Sequence, residues 1–313
     1  MKKWVKATAV VLALMGLSMK NAYAIDTTTV NEKWGKPTVV YGGGLSEAQI
    51  QQTSQLLGIK DPNTVLTETA TGQDLIKYLG SGDGNTSVMI SSVMVQKTDK
   101  GTGVKVKIKT PENITLVTPE QYANAAITAG VADAEIEVAA VSKVTGESAL
   151  TGVYKAFEAN GVVLDGKRTA VAQQELELTN QIAQEQSKEK GFDAAKLDQA
   201  MIDIKKSLAE IKEKQGQVAT KEDVERIVNE ALKKYGLDKV ISPTQVNNII
   251  QFALSYQQTS AIDSKQVLEQ LNSLSNTVKG KIGQLVDQAN REGWLDKIVT
   301  FFKEIFNAIF SSK

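Results

Sequence analysis

Residues 87–109 read Ser-Val-Met-Ile-Ser-Ser-Val-Met-Val-Gln-Lys-Thr-Asp-Lys-Gly-Thr-Gly-Val-Lys-Val-Lys-Ile-Lys, and this stretch decides the fold class of the first half. Its last six residues alternate: Val104, Val106 and Ile108 fall on one side of an extended chain, and Lys105, Lys107 and Lys109 on the other. A period of two is that of a strand with one buried and one wet face. Residues 87–96 form a second β-rich run. The intervening Lys100-Gly101-Thr102-Gly103 is turn chemistry, so the two runs are expected to pair as a hairpin.

Working outward, the same grammar of short strands and capped helices extends over residues 36–165. Residues 38–41 read as a strand broken by Gly42, Gly43 and Gly44, and residues 134–141 as another. Ser46 with Gln49 stands in capping-box spacing at the start of a helix that ends near Gly58. Thr71 with Asp74 opens a helix closed by Gly80, and Thr118, Pro119 and Gln121 open one closed by Gly130. Residues 147–159 form a helix stopped by Asn160-Gly161. Residues 25–165 are therefore expected to be an α+β domain, a mixed or antiparallel sheet with helices on one face.

After Gly166 the strand signal vanishes, and residues 166–292 read as an all-α helical region, a bundle or a set of helical hairpins. Ala194, Leu197, Met201, Ile204, Leu208 and Ile211 recur at spacings of three and four, a seam that packs along another helix or pairs between chains as a coiled coil. Thr220 with Asp223 opens a helix burying Val224, Ile227, Val228, Ala231 and Leu232. Ser242, Pro243 and Gln245 open the next, with Val246, Ile249, Ile250, Ala253 and Leu254 inward. A fourth starts at Asp263, with Leu271, Leu274, Val278, Ile282 and Leu285 as its stripe.

The first twenty-four residues carry the pattern of a secretory leader: Lys2, Lys3 and Lys6, an apolar middle over residues 7–17, and Ala22-Tyr23-Ala24 as a small-residue cleavage site. The apolar run is well short of the roughly 20 residues that span a bilayer. The expectation is an exported chain, extracellular or attached to the cell surface, whose mature form begins near Ile25. With the leader go Lys2, Lys3, Lys6 and Lys20, which takes the balanced 36 basic and 36 acidic residues to a net charge of −4. That balance argues against a nucleic-acid partner, which calls for a basic stripe.

The chain has no His and no Cys. This removes disulfides, a lipid-modified cysteine, the usual zinc sites, and the Ser-His-Asp and Cys-His nucleophile systems. Carboxylate pairs, Ser-Lys arrangements, Tyr and Lys remain. Glu135 and Glu137 share a strand face, which a solvated sheet face explains. Gly146-Glu147-Ser148-Ala149-Leu150 imitates a nucleophile elbow, but Leu150 stands where the second glycine belongs. Thr145 as a helix cap with Glu147 in the first turn accounts for it better. Gly42-Gly43-Gly44 lacks the Gly-Lys-Ser/Thr ending of a nucleotide loop, and Gly82-Asp83-Gly84-Asn85 lacks the spaced carboxylates of a calcium loop, so both read as turns. No cofactor and no metal is expected.

Residues 293–313 form a separate C-terminal element, an amphipathic helix over residues 294–310. Trp294, Leu295, Ile298, Val299, Phe301, Phe302, Ile305, Phe306, Ile309 and Phe310 cover more than half of it, with Lys297, Lys303, Glu304 and Asn307 on the rest. An aromatic face with flanking lysines suits a membrane interface or a partner's groove. It suits equally the closing of the helical bundle. The candidate interaction residues are Trp294, Leu295, Ile298, Phe301, Phe302, Ile305, Phe306, Ile309 and Phe310.

Four phrases in the first half are long and ordered: 71–80 (Thr-Gly-Gln-Asp-Leu-Ile-Lys-Tyr-Leu-Gly), 110–115 (Thr-Pro-Glu-Asn-Ile-Thr), 122–130 (Tyr-Ala-Asn-Ala-Ala-Ile-Thr-Ala-Gly) and 144–158 (Val-Thr-Gly-Glu-Ser-Ala-Leu-Thr-Gly-Val-Tyr-Lys-Ala-Phe-Glu). Over residues 41–178 the chain resembles domain-of-unknown-function family 1002, exported proteins found mainly in Gram-positive bacteria. The resemblance implies secretion and a Gram-positive envelope setting, and it brings no activity and no functional residues. Thr145, Glu147, Ser148 and Tyr154 form the candidate polar cluster. The sequence therefore points to an exported envelope protein acting through interaction with an envelope protein or a membrane surface, with self-association through its helices open. The competing expectations are a carboxylate-dependent envelope enzyme such as a glycan hydrolase, and a membrane-active protein that inserts its last helix.

Overall fold

A computed structural model of the chain describes residues 34–80 and 83–291. The leader at 1–24 and the amphipathic segment at 294–310 lie outside the described residues.

Five strands form one mixed sheet: β1 (Thr38–Gly42), β2 (Leu66–Ala70), β3 (Ser92–Lys97), β4 (Val104–Ile108) and β5 (Ala134–Ala139), in the order β2-β1-β3-β5-β4. β1 and β2 run parallel, as do β4 and β5, and β3 lies antiparallel between the two pairs. The expected hairpin does not form. β3 and β4 do run in opposite directions, but β5 is inserted between them, pairing Val95 with Ile136 on one side and Ile136 with Val106 on the other. The turn reverses the chain, and the closer pairing comes from a strand about thirty residues downstream, a long-range choice that local turn chemistry does not encode. Residues 87–91 are also not strand: a 3-10 turn spans Thr86–Val88.

Nine helices are described: α1 (Glu47–Leu56), α2 (Gly72–Leu79), α3 (Pro119–Ala129), α4 (Ser148–Ala159), α5 (Gly166–Gln186), α6 (Ala194–Gln215), α7 (Lys221–Lys234), α8 (Pro243–Tyr256) and α9 (Lys265–Arg291). The capping boxes at Ser46, Thr71, Thr118 and Ser242 form as their spacing requires, each with its N3 partner bonded back. Each such cap is worth about 1 kcal/mol. The first half is thus a mixed sheet with helices and the second is helical.

Helices lie on both faces of the sheet. One face, Val40, Val93, Val95, Ile136 and Val138, packs under α3 and α4, with Ala172 and Leu176 of α5 joining the same core. On the other face Val39, Tyr41 and Met94 pack with Ile50 and Leu56 of α1. Glu137 belongs to this second face and is not solvated. It is 2% exposed and bonds Lys109 at 3.3 Å, while Glu135 is half-buried. The helical core gathers Leu197, Met201, Ile204 and Leu208 of α6 with the apolar stripes of α7, α8 and α9.

α3 joins the two cores. Ten of its eleven residues are buried. Ala125, Ala126 and Ala129 face the sheet side, while Ala123 and Ile127 belong to the helical core. Short side chains let a strand layer and a helix layer approach one thin helix from opposite sides, which is how a helix comes to be buried all round.

Candidate functional site

The polar residues of α3 have no solvent to face, so they must be matched by partners from α5 and α6. Asn124 and Thr128 stand one turn apart on α3. Opposite them are Glu175 of α5 and Lys205 of α6, whose side chain is 0% exposed. The Lys205 ammonium forms an ion pair with Glu175, 2.8 Å from Oε1, and donates to Asn124 Oδ1 at 2.6 Å and to Thr128 Oγ1 at 2.9 Å. Thr128 in turn donates to Glu175 Oε2 at 2.7 Å, and the ammonium lies 5.8 Å from the Tyr256 ring centre. Burial pushes the Lys205 pKa down, and the Glu175 charge works against that shift.

Asp198, two turns earlier on α6, is equally buried. The Thr118 hydroxyl donates to its Oδ2 at 3.2 Å, and its Oδ1 has no hydrogen-bond partner among the described residues. Burial pushes this carboxyl well above the usual range, and the nearby Glu120 carboxylate adds to it. Glu120 is itself paired with Lys281 of α9 at 2.6 Å. The line Asp198, Lys205, Glu175 is thus a polar seam between layers. Its three charged residues are all buried and open onto no cleft among the described residues. Glycan hydrolysis requires two carboxyls across an open cleft with room for a sugar ring. Asp198 has the raised pKa of an acid catalyst but is 1% exposed.

The four residues of the expected polar cluster are held differently. Thr145 is exposed and its hydroxyl bonds Glu147 Oε2 at 3.3 Å, while Asn180 of α5 donates to Glu147 Oε1. Thr145 does not cap α4. Glu147 holds the N-cap position with helical backbone angles and no side-chain cap bond. The reason is Gly146, whose φ of +107° turns the chain so that its carbonyl accepts the Tyr122 hydroxyl at 2.5 Å. Ser148 is half-buried at the first turn. Tyr154 lies two turns further along α4, about 10 Å away. It is fully buried, edge-on to Tyr78 with centroids 5.5 Å apart, and burial next to Glu175 pushes its pKa well up. So Thr145 and Glu147 lie at the surface, with Glu147 anchored on the buried Asn180, and Tyr154 belongs to the interior.

The glycine run at 42–44 offers no N–H groups to an anion. Gly43 N–H donates to Ala70 O and Gly44 N–H to Met89 O, and a Cβ on Gly42 would stand 2.2 Å from the Met89 carbonyl. Close packing explains these glycines better than flexibility. At the other loop Asp83 accepts the Asn85 N–H at 2.9 Å, an Asx turn, while Gly82 lies outside the described residues. Among the described residues no cluster of three acidic side chains could hold a metal, and no helix is long and apolar enough to cross a membrane.

A model of a family of proteins of unknown function, DUF1002, matches residues 41–274. The chain belongs to the DUF1002 family. The DUF1002 match runs from β1 into α9, past the expected limit at residue 178, so nearly all of the sheet, the central α3 and most of the helical layer fall within the matched region. The uncharacterised protein YpuA of Bacillus subtilis is 31% identical over 283 residues, covering 88% of this chain and 89% of the relative. No solved structure matches.

Proposed function

We propose that this DUF1002 protein is an exported cell-envelope protein that acts by interaction, and that residues 294–310 are the contacting element. The observation that carries this reading is the course of α9. Its buried stripe of Val267, Leu271, Leu274 and Val278 is followed by exposed Lys279, Gly280, Lys281, Gly283 and Gln284, with Ile282 half-buried. A helix of 27 residues is about 40 Å long, and the last of its described side chains are mostly turned to solvent, as expected of a helix that carries a contacting element outward. The leader-like start and the resemblance to exported proteins supply the envelope setting. Inside the body, by contrast, the strongest ionic groups are committed to one another.

The test compares residues 25–313 with a chain ending at residue 292, by flotation with anionic and neutral vesicles and by crosslinking on intact cells. The reading expects the shorter chain to keep its melting temperature and lose association. Vesicle flotation without dye release marks surface docking, and dye release marks insertion of the segment. Unfolding of the shorter chain would make the aromatic face part of the bundle core and overturn the proposal.

A further inference from the structure

The two edges of the sheet are treated differently. β4 carries Lys105 and Lys107, a common guard against unwanted strand pairing. β2, at the opposite edge, reads Leu-Thr-Glu-Thr-Ala, with neither lysine nor proline. Its pairing to β1 shows which backbone groups are spent. Leu66 N–H donates to Pro37 O, and Ala70 O accepts from Gly43 N–H, so Leu66, Glu68 and Ala70 turn their backbone toward β1. By alternation Thr67 and Thr69 present both N–H and C=O outward, and among the described residues no strand pairs on that side.

Beside this edge lies a cleft of about 660 Å³ between α1 and β2. Its apolar surface comes from Tyr41, Ile59, Pro62 and Val65, and Gln51 and Gln55 of α1 form one wall. Thr67 lines the cleft with its side chain and faces outward with its backbone. The Tyr41 hydroxyl and Ser54 Oγ, 2.6 Å apart, satisfy each other at the floor. At the end where β2 begins stand two lysines. Lys60 is on the rim, and Lys36 bonds the Asn63 carbonyl. The neighbouring Asp61 carboxylate is engaged by the Asn63 N–H at 2.9 Å, and Glu68 points to the opposite face of the sheet with Ala70.

We propose that this edge and cleft bind the C-terminal end of an extended partner peptide by strand addition. The peptide runs antiparallel to β2, bonds the outward groups of Thr67 and Thr69, and seats an apolar side chain against Ile59 and Val65. Its terminal carboxylate meets Lys60 and Lys36. The argument for this occupant is the coincidence of an unpaired edge, an apolar pocket on the same strand, and positive charge at only the end where an antiparallel chain terminates. The site includes no residue of 294–310 and stands even if that segment proves inert.

The test screens the whole mature chain against a displayed library of random peptides with free C-termini, in parallel with its Thr67→Pro and Lys60→Glu variants. Thr67 N–H faces solvent, so a proline there leaves the β1 ladder intact while removing the edge donor. The proposal expects enriched peptides with an apolar residue near the carboxyl end, bound at least about tenfold more weakly by either variant and after amidation of the peptide terminus. It further expects slowed amide exchange at Thr67 and Thr69 on binding. Absence of enrichment on the wild-type chain, or equal affinity for folded Thr67→Pro, overturns it.

Discussion

Replacing Lys205 by methionine keeps the length of the side chain and deletes its charge. What remains is the Glu175 carboxylate, 2% exposed, with the Thr128 hydroxyl as its one nearby donor, and an Asn124 Oδ1 that has lost its shortest contact. Removing one partner of a buried ion pair costs about 3–5 kcal/mol, most of it the uncompensated charge of the other partner. For a chain of this size each kcal/mol moves the melting temperature by about 2–4 °C, so Lys205→Met should melt roughly 6–20 °C lower. Removing both charges, Lys205→Met with Glu175→Leu, should recover most of that loss, because apolar replacements restore packing without stranding a charge. A double-mutant cycle by urea unfolding, followed by circular dichroism, measures the coupling directly. If Lys205→Met alone stays within about 1 kcal/mol of wild type, the ion pair does not hold the layers together and the reasoning fails.

Other consequences follow from the same geometry. Asp198 has a raised pKa in the folded protein, so the folded state holds its proton more tightly than the unfolded one and stability falls as pH rises above the ordinary value of 3.8. Asp198→Asn should therefore raise the melting temperature at pH 7 more than at pH 4, and equal shifts would refute the shifted carboxyl. Asp74 behaves oppositely. Its partial burial is outweighed by bonds from Lys155 and Thr71, which hold its pKa down, so its contribution is present above pH 3.8 and fades below it. Asp74→Asn should cost stability at pH 7 and little at pH 2.5, read by thermal melts. Gly146→Ala meets both a φ of +107° and a Tyr122 oxygen 2.3 Å from the new Cβ. It should cost about 1–3 kcal/mol in urea unfolding, against nearly nothing for Gly166→Ala, where the space is open.

Local chemistry made much of the architecture legible. Four capping boxes, the stops at Gly80 and Gly130, and the buried stripes of α6 through α9 all announce themselves within a few residues. β2 does not, because Leu-Thr-Glu-Thr-Ala is short, largely polar and without an apolar run, and it becomes a strand by pairing with β1. The insertion of β5 between β3 and β4 is likewise a long-range choice. The polar seam was hidden for another reason. Lys205 and Asp198 sit among the charged positions of α6, which a one-sided helix would turn to water, and only the packing of α3 against a second side buries them. Tyr154 entered the candidate cluster by closeness in sequence, whereas two helical turns carry it into the core.

Placing α3 at the centre of both cores makes the sheet and the helical layer one cooperative body. Native-state hydrogen exchange, read by mass spectrometry on the whole chain, tests this most directly. The account predicts that amides of β3, β5, α3, α5 and α6 open together at a single free energy, and that Lys205→Met lowers that energy for all of them. Opening of α6 with α7 and α8 at several kcal/mol below the sheet, with the sheet unaffected by Lys205→Met, would contradict it.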